Sequence, residues 1–335
     1  MRQRWALAVC ALTFFTCVYL ARVHISDLSD MARTYSTFHK LERNIYNYPN
    51  HDHQNSAASP HEQQLAPRIL HQIFLQETHT TPIEKYTPAR QSCQTMHPTW
   101  EHMLWTDANA TAFVSDNYPH ILPHYTSYRQ TIQRTNILRY LLIHHFGGVY
   151  LDLDITCRVP LDSLLHLPWL TPAAHPAGIN NAFILSRSGH PFLDKVIAAI
   201  GGQNLNWGLP YVENMLSTGC MFVSNLWMAY ARKERLHKYE DQVFLLADEN
   251  GGLEGQMLRG KIVTPLFEHG GASSWHGWDA AAIVLVGKHY QAVVGVVGVL
   301  LGVAVLAGVS RCVRGFGRRR RRSLDEEEQA LSKVG

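Results

Sequence analysis

Charge is scarce in this sequence. Only 17% of its 335 residues are Asp, Glu, Lys or Arg, and the formal net charge is +3. No basic face interleaved with aromatics occurs along it, which excludes a nucleic-acid binder. Cysteine is sparse too, 6 in all. Cys10 and Cys17 fall in an apolar N-terminal stretch and Cys312 near the C-terminus, leaving Cys93, Cys157 and Cys220, enough for at most one disulfide. This is therefore not a domain stapled by disulfides. No internal repeat is present.

Apolar residues are plentiful, 46% of the chain, and they concentrate at the ends as well as in the middle. Trp5 to Leu20 forms an apolar stretch flanked by Arg2, Arg4 and Arg22. It reads as a cleaved signal peptide or an uncleaved signal-anchor, and the lack of a small-x-small site after Leu20 favours the anchor. A second stretch, Ala292 to Val309, carries no charge and leads to Arg311, Arg314 and the arginine run Arg318 to Arg322. Positive charge lies outside both stretches, so the positive-inside rule puts both termini in the cytosol and the intervening chain in a lumen. The organisation expected is an N-terminal transmembrane helix (1–22), a stem (23–66), a lumenal catalytic domain (67–280), a C-terminal transmembrane helix (288–310) and a cytosolic tail, basic then acidic (311–335). Asn109-Ala-Thr111 is a glycosylation sequon, usable if it lies in a lumenal loop.

Within the domain, Arg68 to Leu75 reads as a buried strand and Trp100 to Trp105 as a second. The strongest helix spans roughly Tyr128 to Phe146, with Ile132, Leu138, Leu141, Leu142 and His145 recurring at helical spacing. Gly147-Gly148 stops it, since glycine tolerates the positive φ of a helix end. Val149 to Ile155 then alternates as a strand, and the order of helix, glycine stop and strand gives an α/β fold class.

That last strand carries the chemistry. Asp152 and Asp154, one residue apart, are expected on the same strand face. Two adjacent carboxylates repel and resist unpaired burial. A divalent cation resolves the conflict, and an oxygen donor set suits Mg²⁺ or Mn²⁺. Asp152-Leu-Asp154-Ile-Thr156 also fits the signature of haloacid-dehalogenase phosphatases. That chemistry needs a later Gly-Asp-x-x-x-Asp loop, which is missing.

Arg134-Thr-Asn-Ile-Leu-Arg-Tyr140, Gly147-Gly-Val-Tyr150 and Asp152-Leu-Asp154 resemble, in order and spacing, the signature of glycosyltransferase family 32, the DXD-containing family. Pro67 to Phe74, Trp105-Thr-Asp107, Asn181-Ala-Phe183 and Gly189-His-Pro-Phe192 match further segments, so the resemblance covers about residues 67 to 280. Asn206 to Tyr211, Ser217 to Ser224 and Ser273 to Asp279 resemble, more narrowly, the fungal mannosyl inositol phosphorylceramide synthases.

The resemblance implies a GT-A type, Rossmann-like mixed sheet flanked by helices, with a transmembrane helix at each end. It implies a retaining mannosyltransferase of sphingolipid biosynthesis in the Golgi membrane. GDP-mannose would be the donor and inositol phosphorylceramide the acceptor, with Mn²⁺ as cofactor and Mg²⁺ as the alternative. A regulatory membrane subunit is a further implied partner. A glycoprotein-glycan transferase or a silent membrane scaffold are the competing readings. By matched position, Asp152 and Asp154 are the catalytic metal ligands with His276 as the third. Phe74, Asn136, Arg139, Tyr150 and Asn181 line the donor site. The family usually has Asp where this chain has Asn136, so a direct pairing with Arg139 is lost. Glu213 and Asp241 read as surface acids, which leaves front-face displacement as the expected route to retention.

Overall fold

The computed structural model describes residues 2–40, 44–48, 63–76, 82–174, 177–233, 238–248, 253, 262–271 and 277–289. The chain divides into two compact units, Met1–Gly277 and Trp278–Gly335. The second contributes one described helix, α9 (Trp278–Lys288).

In the first unit a seven-stranded sheet takes the order β1-β8-β6-β7-β4-β2-β3. Its strands are β1 (Asn44–Tyr46), β2 (Ile69–Phe74), β3 (Glu101–Thr106), β4 (Gly148–Leu151), β6 (Trp169–Pro172), β7 (Phe183–Ser186) and β8 (Phe244–Leu246). Every neighbouring pair is parallel except the two made by β7, which runs against β4 and β6. Six strands therefore share one direction, and their carboxyl ends share one edge with the amino end of β7. A second, antiparallel sheet has the order β5-β10-β9, from β5 (Ile155–Cys157), β9 (Ile262–Val263) and β10 (Phe267–His269).

The main sheet is covered on both faces, and strand alternation sorts its residues between two cores. Tyr150, Trp169, Ile184 and Leu245 belong to one core. Their neighbours Val149, Leu151, Leu170, Leu185 and Leu246 belong to the other. The first core is built with α3 (Asp107–Asn117), α4 (Leu122–Ser127), α5 (Thr131–Phe146), α6 (Pro191–Ala199) and α8 (Cys220–Ala231). The second holds Cys93 of α2 (Thr87–Met96), Trp100 and the segment Leu161 to Leu167. Such strands are apolar on both sides, and all four residues of β4 are buried.

The expected helix and glycine stop are present, with α5 starting at Thr131. Gly147 and Gly148 have φ of +72° and +92°. A Cβ at Gly148 would stand 2.5 Å from the Ile69 carbonyl oxygen, so only glycine lets β4 pair with β2 there.

Three expectations change. The strand does not run through to Ile155: β4 ends at Leu151, and residues 152–154 turn so that β5 can join the second sheet. Asp152 N donates to Ala182 O, and Ile155 N donates back to Asp152 O. The polar segment after residue 22 is not a free stem over its described part. Helix α1 runs from Arg2 to Thr37, Phe38 is 1% exposed in the first core, and β1 joins the sheet edge. Its anchoring is apolar at Phe38, tilted against Trp227, and polar at Thr34, whose hydroxyl donates to Asn225. The sequon lies on the first turn of α3, where Asn109 closes a capping box with Thr106.

Among the described residues no helix is long and apolar enough to cross a membrane. The stretch Ala292–Val309 lies outside the described residues, as do most side chains of Trp5–Leu20. Among the described residues one disulfide joins Cys93 to Cys157 and ties α2 to β5, while Cys220 is free.

Candidate active site

The site forms at the carboxyl edge of the parallel strands, where open α/β sheets leave a crevice. Asp152 and Asp154 occupy the turn leaving β4. His269 reaches them from the end of β10, because the antiparallel register sets His269 opposite Ile155. One ligand atom from each of Asp152, Asp154 and His269 falls within 4.8 Å of the others. His269 Nε2 stands 3.1 Å from Asp154 Oδ1. Gly270 N donates to the Asp154 carbonyl, fixing the turn against the end of β10.

Two groups hold one carboxylate oxygen of Asp152. Tyr150 Oη donates to its Oδ1 at 2.6 Å, and Arg139 Nη2 lies 3.4 Å from the same oxygen. Burial drives the Tyr150 phenol well above its ordinary pKa, and the neighbouring Asp152 adds to the rise. Tyr150 is therefore a fixed donor. Arg139 is buried, with its guanidinium carbon 4.6 Å from the centre of the Tyr150 ring. Burial opposes the His269 charge, but the hydrogen bond and charge of Asp154 outweigh it and raise the imidazole pKa.

This donor set fits a divalent cation. Two carboxylates and an imidazole converge, and His269 Nδ1 is a buried nitrogen with no hydrogen-bond partner among the described residues. Oxygen-rich sites with one nitrogen suit Mn²⁺ and Mg²⁺, with imidazole favouring the softer Mn²⁺.

Beside the cluster lies a neutral polar network. Asn136 Nδ2 donates to Asn214 Oδ1 (2.9 Å) and Thr218 Oγ1 (3.2 Å), and Asn136 Oδ1 accepts from Asn181 Nδ2 (3.2 Å). Asn181 Nδ2 also donates to Tyr140 Oη, its Oδ1 accepts from the Cys220 thiol, and its backbone oxygen accepts from Arg139 Nη1. The network gathers α5, α7 (Pro210–Ser217), the start of α8 and the loop before β7.

Of the residues expected in the site, Asp152, Asp154, Arg139, Tyr150, Asn136 and Asn181 thus form one connected constellation. Phe74 is half-buried at the carboxyl end of β2, on the same sheet edge. His276 lies outside the described residues. His269 was not anticipated, since no local motif marks it and only the β5–β10 register brings it to Asp154. Glu213 is no surface acid: it is 8% exposed on α7. Asp241 is tied to Arg187 at 2.7 Å.

Residues 84–168 match the model of the glycosyltransferase sugar-binding region containing the DXD motif. Inositol phosphoceramide mannosyltransferase 1 of Schizosaccharomyces pombe is 30% identical over 287 residues, covering 84% of each chain. The chain belongs to the DXD-containing glycosyltransferase family.

Other members are also similar. Inositol phosphoceramide mannosyltransferase 3 of Schizosaccharomyces pombe is 32% identical, over 73% of this chain and 64% of its own length. Mannosyl phosphorylinositol ceramide synthase CSH1 of Saccharomyces cerevisiae is 33% identical, over 73% and 62%. The chain thus spans a little less than two thirds of the length of these last two relatives. Among solved structures, PaToxG glycosyltransferase is similar at a TM-score of 0.38 and 13% identity, over 64% of this chain and 80% of that one. In this family member the DXD motif is Asp152-Leu153-Asp154.

Proposed function

We propose that this chain transfers mannose from GDP-mannose to inositol phosphorylceramide at a membrane, using a Mn²⁺-dependent site. The observation that carries the reading is the convergence of Asp152, Asp154 and His269 at the carboxyl edge of the sheet. The names of the similar relatives supply the sugar and the acceptor. Asp152, Asp154 and His269 would hold the cation, with Mg²⁺ as the alternative ion. Bound there, it supplies Lewis-acid stabilisation of the charge developing on the departing diphosphate. His276, from the segment before α9, is a further ligand in this proposal.

The protein's own groups prepare that step. Tyr150 and Arg139 fix Asp152 by one oxygen, so the carboxylate need not reorient when the donor arrives. Such preorganisation is where most electrostatic catalysis resides. Phe74, at the mouth of β2, offers an aromatic face to the base. In this reading the fold is the GT-A arrangement, and no carboxylate is assigned as a covalent nucleophile. Glu213 is buried in α7 and Asp241 is committed to Arg187, so front-face displacement remains the proposed route to retention.

Apolar stretches near both ends would anchor the domain at the Golgi membrane, with its acceptor lipid, its catalytic part lumenal and its termini cytosolic. The Cys93–Cys157 disulfide supports an oxidising compartment. A regulatory membrane subunit is compatible with the same arrangement.

The test is transfer from labelled GDP-mannose in membranes carrying the full chain, with inositol phosphorylceramide and with or without Mn²⁺. Mannosylated lipid that depends on Mn²⁺ and vanishes in Asp154→Ala supports the reading. Label in glycoprotein but not lipid would reassign the acceptor, and activity surviving Asp154→Ala would remove the metal site.

A further inference from the structure

Asn136 is 3% exposed and sits three residues before Arg139 on α5. Residues at that spacing share a helix face. Both ends of its amide are engaged, the nitrogen with Asn214 and Thr218 and the oxygen with Asn181. Asn181 accepts from Arg139 through its backbone oxygen, so a continuous path runs from Asn214 through Asn136 and Asn181 to Arg139 and then Asp152. Every link up to the guanidinium is uncharged. Asp152 is the carboxylate that Arg139 faces among the described residues, and Arg139 itself is 2% exposed.

This arrangement has an electrostatic consequence. A buried guanidinium needs a counter-charge. With an amide at position 136, Arg139 finds it, among the described residues, in Asp152 alone. The charges of Arg139, Asp152 and Asp154 then sum to −1. A carboxylate at 136 would do two things of the same sign. It would draw Arg139 away from Asp152, and it would add one negative charge to the surroundings of the cluster. Both changes raise the attraction for a dication.

We propose that Asn136 is a positioning residue that sets the metal affinity of the Asp152–Asp154–His269 cluster, by keeping Arg139 committed to Asp152 through an uncharged link. The cluster would then hold a dication less tightly than it would with a carboxylate at position 136. The proposal rests on the metal reading above, and its tests separate the two.

The first test is titration of the detergent-solubilised full chain with Mn²⁺ alone, followed by electron paramagnetic resonance of the free ion. Asn136→Asp should bind Mn²⁺ about tenfold more tightly than the parent, equivalent to about 1.4 kcal/mol. Asn136→Ser, which keeps a donor and an acceptor without charge, should stay within about twofold. Unchanged or weaker binding in Asn136→Asp overturns the proposal, as does equal tightening in Asn136→Ser. Should Asn136→Asp fail to fold, Asn181→Asp places the same charge one link nearer Arg139 and carries the same expectation.

The second test needs no metal. Asp152→Asn removes the partner of Arg139 and lowers the unfolding temperature of the metal-free chain. In an Asn136→Asp background that loss should shrink by at least about 2 °C, because the new carboxylate serves Arg139 instead. Additive losses overturn the proposal. A parent chain that binds no Mn²⁺ overturns the metal reading, while this cycle still decides whether position 136 governs Arg139.

Discussion

Two polar clusters adjoin one another at the carboxyl edge of the sheet, and they settle the cost of burial in opposite ways. The Asn136–Asn181–Asn214 network is neutral, and its amide nitrogens and oxygens find donors or acceptors within the fold. The Asp152–Asp154–His269 cluster is charged and leaves capacity unused, including a buried Nδ1 with no partner among the described residues. Burial of neutral groups is offset by their mutual hydrogen bonds. Burial of like charges is not, and a divalent cation would offset it. Arg139 joins the two, touching Asn181 on one side and Asp152 on the other. The first cluster should therefore govern stability and the second activity.

The sharpest way to break that division is Asp154→Ala. Transfer should fall by at least about 10³-fold, the loss of roughly 4 kcal/mol of transition-state stabilisation. Unfolding temperature without metal should move by less than about 3 °C, since a pair of like charges is relieved while a contact with His269 is lost. A large fall in stability, measured by calorimetry, would make Asp154 structural and erase the contrast.

A buried histidine extends the rule for neutral groups to pH. His71 is fully buried, with Nε2 donating to Gly147 O and Nδ1 accepting from Trp105 Nε1. Burial lowers its pKa to about 4, against the weaker lift from Gly147. The unfolded chain therefore takes up a proton before the folded one does. Stability is full above about pH 6.5, falls as pH drops from there towards 4, and levels off below, a loss of at most about 3 kcal/mol. Urea midpoints across that range should show the slope, and His71→Gln should flatten it.

Metal should stabilise only through the charged cluster. Mn²⁺ at 100 times its dissociation constant adds about 2.7 kcal/mol. That shift in unfolding temperature should appear in the parent and in Asn214→Ala, and vanish in Asp154→Ala. The smallest effect is expected of Asn214→Ala on the apo chain. It removes the Asn214 acceptor from Asn136 Nδ2 and the Thr218 hydroxyl, at a cost of about 1–3 kcal/mol, with transfer at low temperature reduced less than tenfold. A reversed pattern, with activity lost and stability kept, would move this network into the reaction itself.

The two clusters were also unequally legible in the sequence. Asp152, Asp154, the helix over α5 and the Gly147-Gly148 stop follow from short-range signals: spacing, periodicity and the φ freedom of glycine. The strand was overextended to Ile155, because alternation cannot show where a chain leaves one sheet for another. His269 was invisible for a related reason. It stands 115 positions beyond Asp154 and reaches it through strand register, for which no local residue pattern exists. Over its described part from residue 23 the stem departs from a free linker in ways the sequence hid, because polar residues dominate there and the anchoring rests on few contacts such as Phe38 on Trp227 and Thr34 on Asn225. Asn136 was legible as a departure from the family pattern, but its partners on α7 were not, since they come from elsewhere in the chain.

The account stands on His269 completing a metal site with the two aspartates. Pulsed electron paramagnetic resonance of the Mn²⁺-loaded full chain tests it directly, because a coordinated imidazole imprints a nitrogen coupling on the ion. In a His276→Ala background, where His269 is the imidazole left to bind, the coupling should be present, and adding His269→Ala should abolish it with the aspartates unchanged. A Mn²⁺ signal without nitrogen coupling in that background, or a coupling that survives the added His269→Ala, would contradict it.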